Sequence, residues 1–154
     1  MKALLFDAYN CVGCGECSLA CQEENGLPAD AEPGLSAARY TAIEDHDDIY
    51  LRRMCMHCVE PSCASACPVG ALKKTDEGPV TYDFDICIGC RYCMVACPFQ
   101  IPRYTWDSLT PRVQKCQMCP QRLAEGKPTA CSEACPADAT IFGDRTELIA
   151  EEIG

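Results

Sequence analysis

The chain has 154 residues, the length of one typical domain or of two very small ones. Its formal net charge of −10 argues against a nucleic-acid partner, because phosphates are bound by clustered Lys and Arg. Sixteen cysteines and an aromatic share of 7% indicate that a hydrocarbon core is not the main source of stability.

The elements predicted in the first third of the chain are short. The apolar residues 2–7 predict a strand, and residues 18–24 predict a helix. The small and acidic residues 29–34 are typical of a surface loop. Residues 39–43 and 49–51 predict two strands joined by the acidic residues between them.

The later elements are also short and alternate with cysteines. Residues 68–83 predict a β-hairpin that turns at 75–78. Residues 137–144 predict a turn followed by a strand, and residues 147–154 predict a short helix or a frayed tail.

The cysteines form four groups. Each group begins with Cys-x2-Cys and ends with Cys-x3-Cys, and the middle gap is two, four, two and eleven residues in chain order. The groups are Cys11, Cys14, Cys17 and Cys21; Cys55, Cys58, Cys63 and Cys67; Cys87, Cys90, Cys93 and Cys97; and Cys116, Cys119, Cys131 and Cys135. Pro68, Pro98 and Pro136 follow the last cysteine of groups two to four, and because proline cannot continue a helix, each predicts a turn. Gln22 takes that position in group one.

Group three has the spacing C-x2-C-x2-C-x3-C-P, which is typical of a bacterial iron–sulfur run. In such a run the fourth cysteine binds a different cluster from the first three. A second segment that carries ligands must therefore lie beside the first. Sixteen cysteines suffice for four complete [4Fe–4S] clusters with no thiol left over.

The first residues of the sequence are relevant to the compartment. Residues 1–7 contain no apolar stretch of signal-peptide length and no twin arginine, and no run approaches the ~20 apolar residues that span a bilayer. We therefore expect a cytoplasmic protein with no direct membrane span, and export bound to a partner that carries a signal is compatible with the same observation. Since cytosolic thiols are kept reduced, clustered cysteines then indicate metal ligands.

Three other interpretations compete with four cubanes. Disulfides require an oxidising compartment, and four cysteines within eleven residues leave few unstrained partners. Structural zinc uses four-cysteine sites with C-x2-C pairs, and the gap in group four suits a zinc ribbon, but C-x2-C-x2-C-x3-C is poor zinc spacing and occurs twice. A mixed protein with three cubanes and one zinc is the third interpretation.

Five motifs identify a family. They are CVGCGECSLAC at 11–21, HCVEPSCASACPVGA at 57–71, the run at 87–103, KCQMC at 115–119 and PTACSEACP at 128–136. With these motifs the chain resembles, over nearly its whole length, the four-cluster electron-transfer subunits of molybdenum- and tungsten-pterin oxidoreductases, of the dimethyl sulfoxide reductase and formate dehydrogenase type.

The resemblance implies which cysteines share a cluster, because the family pairs group one with four and group two with three. We refer to the implied ligands as sets 1 to 4. They are Cys11, Cys14, Cys17 and Cys135 (set 1); Cys21, Cys116, Cys119 and Cys131 (set 2); Cys55, Cys58, Cys63 and Cys97 (set 3); and Cys67, Cys87, Cys90 and Cys93 (set 4). The family arrangement implies a line of clusters, with the first nearest the pterin subunit and the fourth near the outlet.

The same resemblance implies an α+β fold of two pseudo-symmetric bacterial ferredoxin-like βαβ units with short hairpins, organised around four cubane clusters. Residues 1–154 are expected to form a single compact polyferredoxin domain. Unit A would comprise residues 1–28 and 111–148, unit B residues 52–104, and residues 29–51 an insertion.

The expected function is one-electron transfer rather than catalysis. The sequence contains no phosphate loop, no dinucleotide-binding fingerprint and no nucleophile with its base, so the chain is not expected to be an enzyme on its own. The resemblance implies a large Mo/W-pterin catalytic partner and a flavin or other redox subunit at the outlet. In its compact form without a signal the chain resembles the small subunits of soluble tungsten enzymes of the aldehyde oxidoreductase type, and formate dehydrogenase and dimethyl sulfoxide reductase types come next. A free-standing polyferredoxin and a zinc-stapled interaction module are the alternatives.

Several side chains beside the cysteines are candidates for adjusting cluster potentials. Four cations are either such groups or ordinary surface charges: Arg52, Arg53, Arg91 and Lys115. His57 is expected to donate a hydrogen bond near a cluster rather than to bind iron, because the cysteine set is complete. Tyr104 and Trp106 are expected to cover a cluster or a subunit contact.

Removal of iron is expected to unfold the protein, because cluster ligands draw distant segments of the chain together. Protein prepared without iron should give a poorly dispersed amide NMR spectrum, and reconstitution with iron and sulfide should restore dispersion. A well-dispersed spectrum from iron-free protein would contradict this expectation.

Overall fold

The computed structural model describes residues 1–29 and 33–153, so residues 30–32 of the expected surface loop lie outside the description. Within these ranges the chain forms eight strands and six helices. The strands are β1 (Lys2–Phe6), β2 (Ala42–His46), β3 (Ile49–Arg53), β4 (Leu72–Lys74), β5 (Val80–Tyr82), β6 (Arg103–Tyr104), β7 (Val113–Gln114) and β8 (Thr140–Asp144). The helices are α1 (Glu16–Glu24), α2 (Ser62–Ser65), α3 (Tyr92–Ala96), α4 (Pro120–Ala124), α5 (Ala130–Glu133) and α6 (Arg145–Ile153).

The strands of the described ranges form four antiparallel pairs: β1 with β8, β2 with β3, β4 with β5, and β6 with β7. The first pair joins the two ends of the chain, with Lys2 opposite Asp144 and Phe6 opposite Thr140. It therefore brings group one beside group four. The mixed α/β character that the sequence predicts is confirmed.

The β2–β3 hairpin differs from its prediction. The strands extend through Glu44 and Asp45, which were expected in the turn, and only Asp47 and Asp48 lie between the strands. Both turn residues have positive φ, 53° and 71°. A two-residue turn of this kind matches the twist of the flanking strands, and Asp tolerates the left-handed conformation. The turn is therefore shorter than the run of acidic residues suggests.

The buried core is built around cysteines. One cluster of buried side chains contains Cys21, Tyr40, Met54, Cys55, Ile101 and Cys116. The other contains Ala71, Leu72, Val80, Tyr82, Cys93 and Val113. Partly buried cysteines of groups two and three (Cys63, Cys67 and Cys87) pack against the second cluster, so both cores combine apolar side chains with thiols from separate parts of the chain.

Helix α1 shows the consequence of the missing proline in group one. It continues past Cys21 to Glu24, whereas the chain turns directly after the last cysteine of the other groups. Gln22 is buried, and its Nε2 donates to the carbonyl oxygens of Pro28 (3.3 Å) and Ala38 (3.1 Å). One side chain therefore holds both ends of the segment between these residues.

No helix in the part of the chain that the structure describes combines the length and the apolar character needed to cross a bilayer.

Gly78 holds the turn of the β4–β5 hairpin against β1. Its φ is +125°, and a Cβ at this position would lie 2.2 Å from the backbone oxygen of Lys2. Gly26 also has a positive φ, +58°, but a Cβ there would meet nothing within 4 Å. A side chain at Gly26 would therefore add backbone strain alone, whereas a side chain at Gly78 would add both strain and a steric overlap with β1.

We expect Gly78→Ala to destabilise the protein by more than about 3 kcal/mol, because strain and backbone overlap add. Gly26→Ala should cost about 1 kcal/mol, from strain alone. Anaerobic thermal unfolding, followed by circular dichroism and cluster absorbance, measures both. Equal midpoints for the two variants would show that β1 does not approach the hairpin this closely.

Candidate iron–sulfur sites

The second residue between the first two cysteines of every group has a positive φ. These residues are Gly13 (71°), His57 (43°), Gly89 (68°) and Met118 (63°). The left-handed turn directs backbone N–H groups back toward sulfur, as in Gly89 N to Cys87 Sγ (3.4 Å) and Met118 N to Cys116 Sγ (3.4 Å). Glycine signals this conformation in two groups. His57 and Met118 gave no such signal, because non-glycine residues rarely adopt it.

A common turn closes groups two, three and four. The residue two positions after the proline has a positive φ in each, 64° at Gly70, 51° at Gln100 and 50° at Asp138. Its N–H donates to the carbonyl oxygen of the last cysteine of the group, over 3.2, 3.1 and 3.4 Å respectively. The turns predicted from the prolines are confirmed.

Three small cavities are each lined by four cysteines. One is lined by Cys11, Cys14, Cys17 and Cys135. The second is lined by Cys21, Cys116, Cys119 and Cys131. The third is lined by Cys67, Cys87, Cys90 and Cys93. Each cavity combines three cysteines of one group with the last cysteine of another, which is the membership of sets 1, 2 and 4.

The cysteines of set 3 are also brought together. Burial first, and then the charges of Cys55 and Cys97, raise the pKa of the Cys58 thiol. The Cys63 thiol has the same two cysteines as neighbours, and burial raises its pKa despite the opposing charge of Lys115. The structure therefore assembles four thiols from groups two and three at this place.

The thiols that the structure describes surround cavities and do not converge on a position that would hold a single metal ion. Among residues 1–29 and 33–153, no three His, Cys, Asp or Glu side chains converge in a way that could hold a metal ion. All sixteen cysteines are free thiols. A cubane fills a volume and accepts hydrogen bonds at sulfur, and its ligands are thiolates, so the cavities and their donors fit such a group.

Neighbouring sets meet through pairs of thiols. Cys17 of set 1 lies beside Cys131 of set 2, and Cys116 of set 2 lies beside Cys55 of set 3. Cys63 of set 3 lies beside Cys93 of set 4. These contacts run from set 1 to set 4 through sets 2 and 3.

Burial dominates the electrostatics of the thiols. It raises the pKa of Cys17 and of Cys93 to about 11 and that of Cys116 to about 12, and neighbouring thiols add to the effect. Thiolates are the form that binds metal. Because these thiols resist ionisation on their own, binding of a cationic iron–sulfur core must supply the compensating charge.

Cys67 is an exception. Burial raises the pKa of its thiol, but backbone N–H groups of residues 69–72 outweigh burial, and the pKa is lowered. Ala71 N lies 3.2 Å from Cys67 Sγ. The loop after Pro68 thus forms a cradle of donors around one sulfur of set 4.

The buried Nε2 of His57, beside the cysteines, has no hydrogen-bond partner among the described residues. His57 Nδ1 accepts a hydrogen bond from Val80 N (2.9 Å), so Nε2 carries the proton. Burial first, and then Lys115 and Lys74, lower the pKa of His57, which keeps the ring neutral. A buried donor without a partner is costly, and a cluster sulfur would satisfy it.

The candidate cations divide into two classes. Arg52 and Lys115 are 7% and 3% exposed, so neither is an ordinary surface charge. Arg53 belongs to the second class, the ordinary surface charges, because it forms an ion pair with Glu44 (3.2 Å).

Arg91 is exposed and lies over two aromatic rings. Its guanidinium is 5.1 Å from the ring centroid of Trp106 and 5.7 Å from that of Tyr104. Arg91 also lines the cavity of set 4, where its charge is open to solvent.

Tyr104 and Trp106 cover the loop of group three. Tyr104 Oη donates to the carbonyl oxygen of Gly89 (3.2 Å), and the two rings pack edge to face with centroids 4.9 Å apart. Trp106 remains 62% exposed. This arrangement leaves an aromatic surface beside set 4.

Comparison with known proteins places these sites in a family. Residues 46–145 match the model of the 4Fe-4S dicluster domain. The sequence is 43% identical over 164 residues to a protein of Nitratidesulfovibrio vulgaris strain Hildenborough, a match that covers 95% of this chain and 44% of that protein. It is 41% identical over 175 residues to the hydrogenase-2 operon protein HybA of Escherichia coli O157:H7, a match that covers 96% of this chain and 53% of HybA.

Another relative is matched over most of its own length. The sequence is 38% identical over 155 residues to the B subunit of anaerobic dimethyl sulfoxide reductase of Escherichia coli strain K12, a match that covers 92% of this chain and 73% of that subunit. By contrast, the protein spans about half the length of the first two relatives. Because the family model matches most of the sequence and the reductase subunit is matched over more than two thirds of its length, this protein belongs to the 4Fe-4S dicluster domain family.

Proposed function

We propose that this chain is an electron-transfer subunit of an oxidoreductase complex and that it binds four [4Fe–4S] clusters with sets 1 to 4 as their ligands. The single observation that carries the proposal is the composition of the three cavities, each lined by three cysteines of one group and one of another. That composition follows the rule for bacterial iron–sulfur runs, in which the fourth cysteine binds a second cluster.

The contacts between thiols support a relay. Each bound cluster supplies one-electron chemistry, and the protein determines distance, exclusion of water and potential. Neighbouring sets meet at buried or half-buried cysteines, so the path between clusters is enclosed by protein. The chain's own contribution is to hold the four sites in sequence and to direct N–H groups at their sulfurs.

The two ends of the relay are the places where electrons would enter and leave. At set 1, Cys14 is exposed and lies beside the exposed side chain of Val12. At set 4, exposed apolar side chains surround the cysteines, among them Ile88, Tyr92 and Val95. Exposed apolar surface of this kind marks protein contacts. We propose that a catalytic subunit docks at set 1 and a second redox subunit, flavin-containing or other, at set 4.

The catalytic partner is proposed as a Mo/W-pterin subunit. One relative is a subunit of dimethyl sulfoxide reductase and another is a hydrogenase-2 operon protein, and neither name refers to a tungsten aldehyde oxidoreductase. The resemblance to that partner's small subunits depends on compact form and the lack of a signal, so we do not retain that partner. The division into two ferredoxin-like units, A and B, is proposed together with the ligand sets, since each set joins segments of the same unit.

Co-purification tests the function. Native protein isolated anaerobically should contain about sixteen irons per chain and elute in a complex with a larger catalytic subunit. Elution as a 16.8 kDa monomer would support a free-standing polyferredoxin instead. A colourless protein that contains zinc would contradict cluster binding altogether.

Paired substitutions test the ligand sets. Cys11→Ala combined with Cys135→Ala should remove one cluster and leave about twelve irons, because both cysteines belong to set 1. Cys11→Ala combined with Cys97→Ala should leave about eight, because Cys97 belongs to set 3. Cys135 and Cys97 are matched, since each is the last cysteine of a group and precedes proline. Iron analysis and EPR spin counts measure the difference, and equal losses in the two double variants would contradict the pairing.

A further inference from the structure

We propose that Arg52 and Lys115 are buried cations that lie at successive junctions between cysteine sets and raise the reduction potentials of the clusters on both sides. The inference rests on the proposed ligand sets. It assigns Arg52 to the junction of sets 1 and 2, and Lys115 to the junction of sets 2 and 3.

Arg52 is held in place by neutral partners. It lies on β3 and is 7% exposed. Its Nε donates to Thr41 Oγ1 (2.8 Å), and its Nη1 donates to Thr140 Oγ1 (3.0 Å). Both hydroxyls are themselves buried. The threonines fix the guanidinium without neutralising its charge.

The groups that can balance the Arg52 charge are thiols. Burial lowers the pKa of Arg52, but Cys131 of set 2 and Cys17 of set 1 outweigh burial, and the pKa is raised. Arg52 also lines the cavity of set 2, and Thr140, which accepts from its Nη1, lines the cavity of set 1. Arg52 therefore lies where the two sets meet.

Lys115 has a similar environment at the next junction. It is 3% exposed, and its Nζ donates to the carbonyl oxygens of Val80 and Cys116. Its charge acts on Cys63 of set 3 and on Cys116 of set 2, where it opposes the effect of burial on both thiols. Val80 in turn donates its N–H to Nδ1 of His57, which lies between Cys55 and Cys58 of set 3. Lys115 thus lies at the junction of sets 2 and 3.

Neither cation forms an ion pair with a carboxylate in the described part of the chain. A buried charge is costly unless an opposite charge compensates it. An oxidised cubane with four thiolates carries about −2, and reduction adds one more negative charge. A fixed cation therefore stabilises the reduced cluster more than the oxidised cluster, and the potential rises.

The positions predict which clusters respond. The cluster of set 2 lies beside both cations, the clusters of sets 1 and 3 beside one each, and the cluster of set 4 beside neither. Arg91, near set 4, is exposed, and solvent screens its charge. The potential of the set 4 cluster should therefore stay unchanged in both variants, and it serves as a reference within the same molecule.

The experiment compares three variants of the holoprotein. Arg52→Gln and Lys115→Gln remove the charge and keep a hydrogen-bond donor. Arg53→Gln is the matched control, because Arg53 adjoins Arg52 on β3 but is 37% exposed and paired with Glu44. Iron content is measured first, and EPR-monitored redox titration then gives the potential of each cluster.

We expect Arg52→Gln to shift two of the four potentials downward, each by at least a tenfold change in the reduction equilibrium, about 59 mV for one electron. Lys115→Gln should likewise lower two, and one cluster should respond to both substitutions. Arg53→Gln should leave all four potentials within a threefold change. Full iron content with unchanged potentials in both variants would overturn the inference while leaving the proposed function intact. Fewer than about sixteen irons in the native protein would instead contradict the proposed function.

A conservative variant keeps the inference testable if Arg52→Gln binds fewer than its full number of irons. Arg52→Lys keeps the charge but changes the hydrogen bonds to Thr41 and Thr140. Full loading with native potentials in Arg52→Lys would support a requirement for charge. Incomplete loading in Arg52→Lys as well would show that the hydrogen bonds, rather than the charge, are needed, and would overturn the assignment of Arg52.

Discussion

The structure depends on one constraint: the last cysteines of groups one, two and four each lie in a cavity formed mainly by another group. Cys135 reaches the cysteines of group one, and Cys21 reaches those of group four, so these two ends of the chain must lie together. The β1–β8 pair satisfies this requirement with backbone hydrogen bonds. Sites built in this way contribute directly to the free energy of folding, because no set is local in sequence.

The small size of the helices and strands follows from the same constraint. Helices α2 and α5 have four residues each, too few to be stable in isolation. Each contains one of the cysteines, Cys63 or Cys131, and neither has a side-chain hydrogen bond that caps its first turn. The two cores contain thiols among their apolar members, so iron–sulfur bonding and apolar packing would stabilise the same parts of the chain.

Much of this arrangement could be predicted from the sequence, because the signals are local. The spacing of cysteines predicts the groups, and Pro68, Pro98 and Pro136 predict the closing turns that the structure confirms. The burial of Arg52 could not be predicted, since it requires β3 to pack beside Thr140 of a distant strand. The left-handed conformation of Met118 was missed for a similar reason: tertiary packing imposes it on a fully buried side chain.

The departure of group one from the repeat places a polar anchor at the base of the segment between Pro28 and Ala38. Where the other groups have proline, Gln22 continues the helix and binds the carbonyl oxygens of Pro28 and Ala38. The segment between these two residues is thereby closed at its base by one amide. Because the entropy of closing a loop rises slowly with its length, residues can be gained or lost there at little cost to the neighbouring cysteines. The amide of Gln22 thus makes the positions of the cysteines independent of the length of that segment.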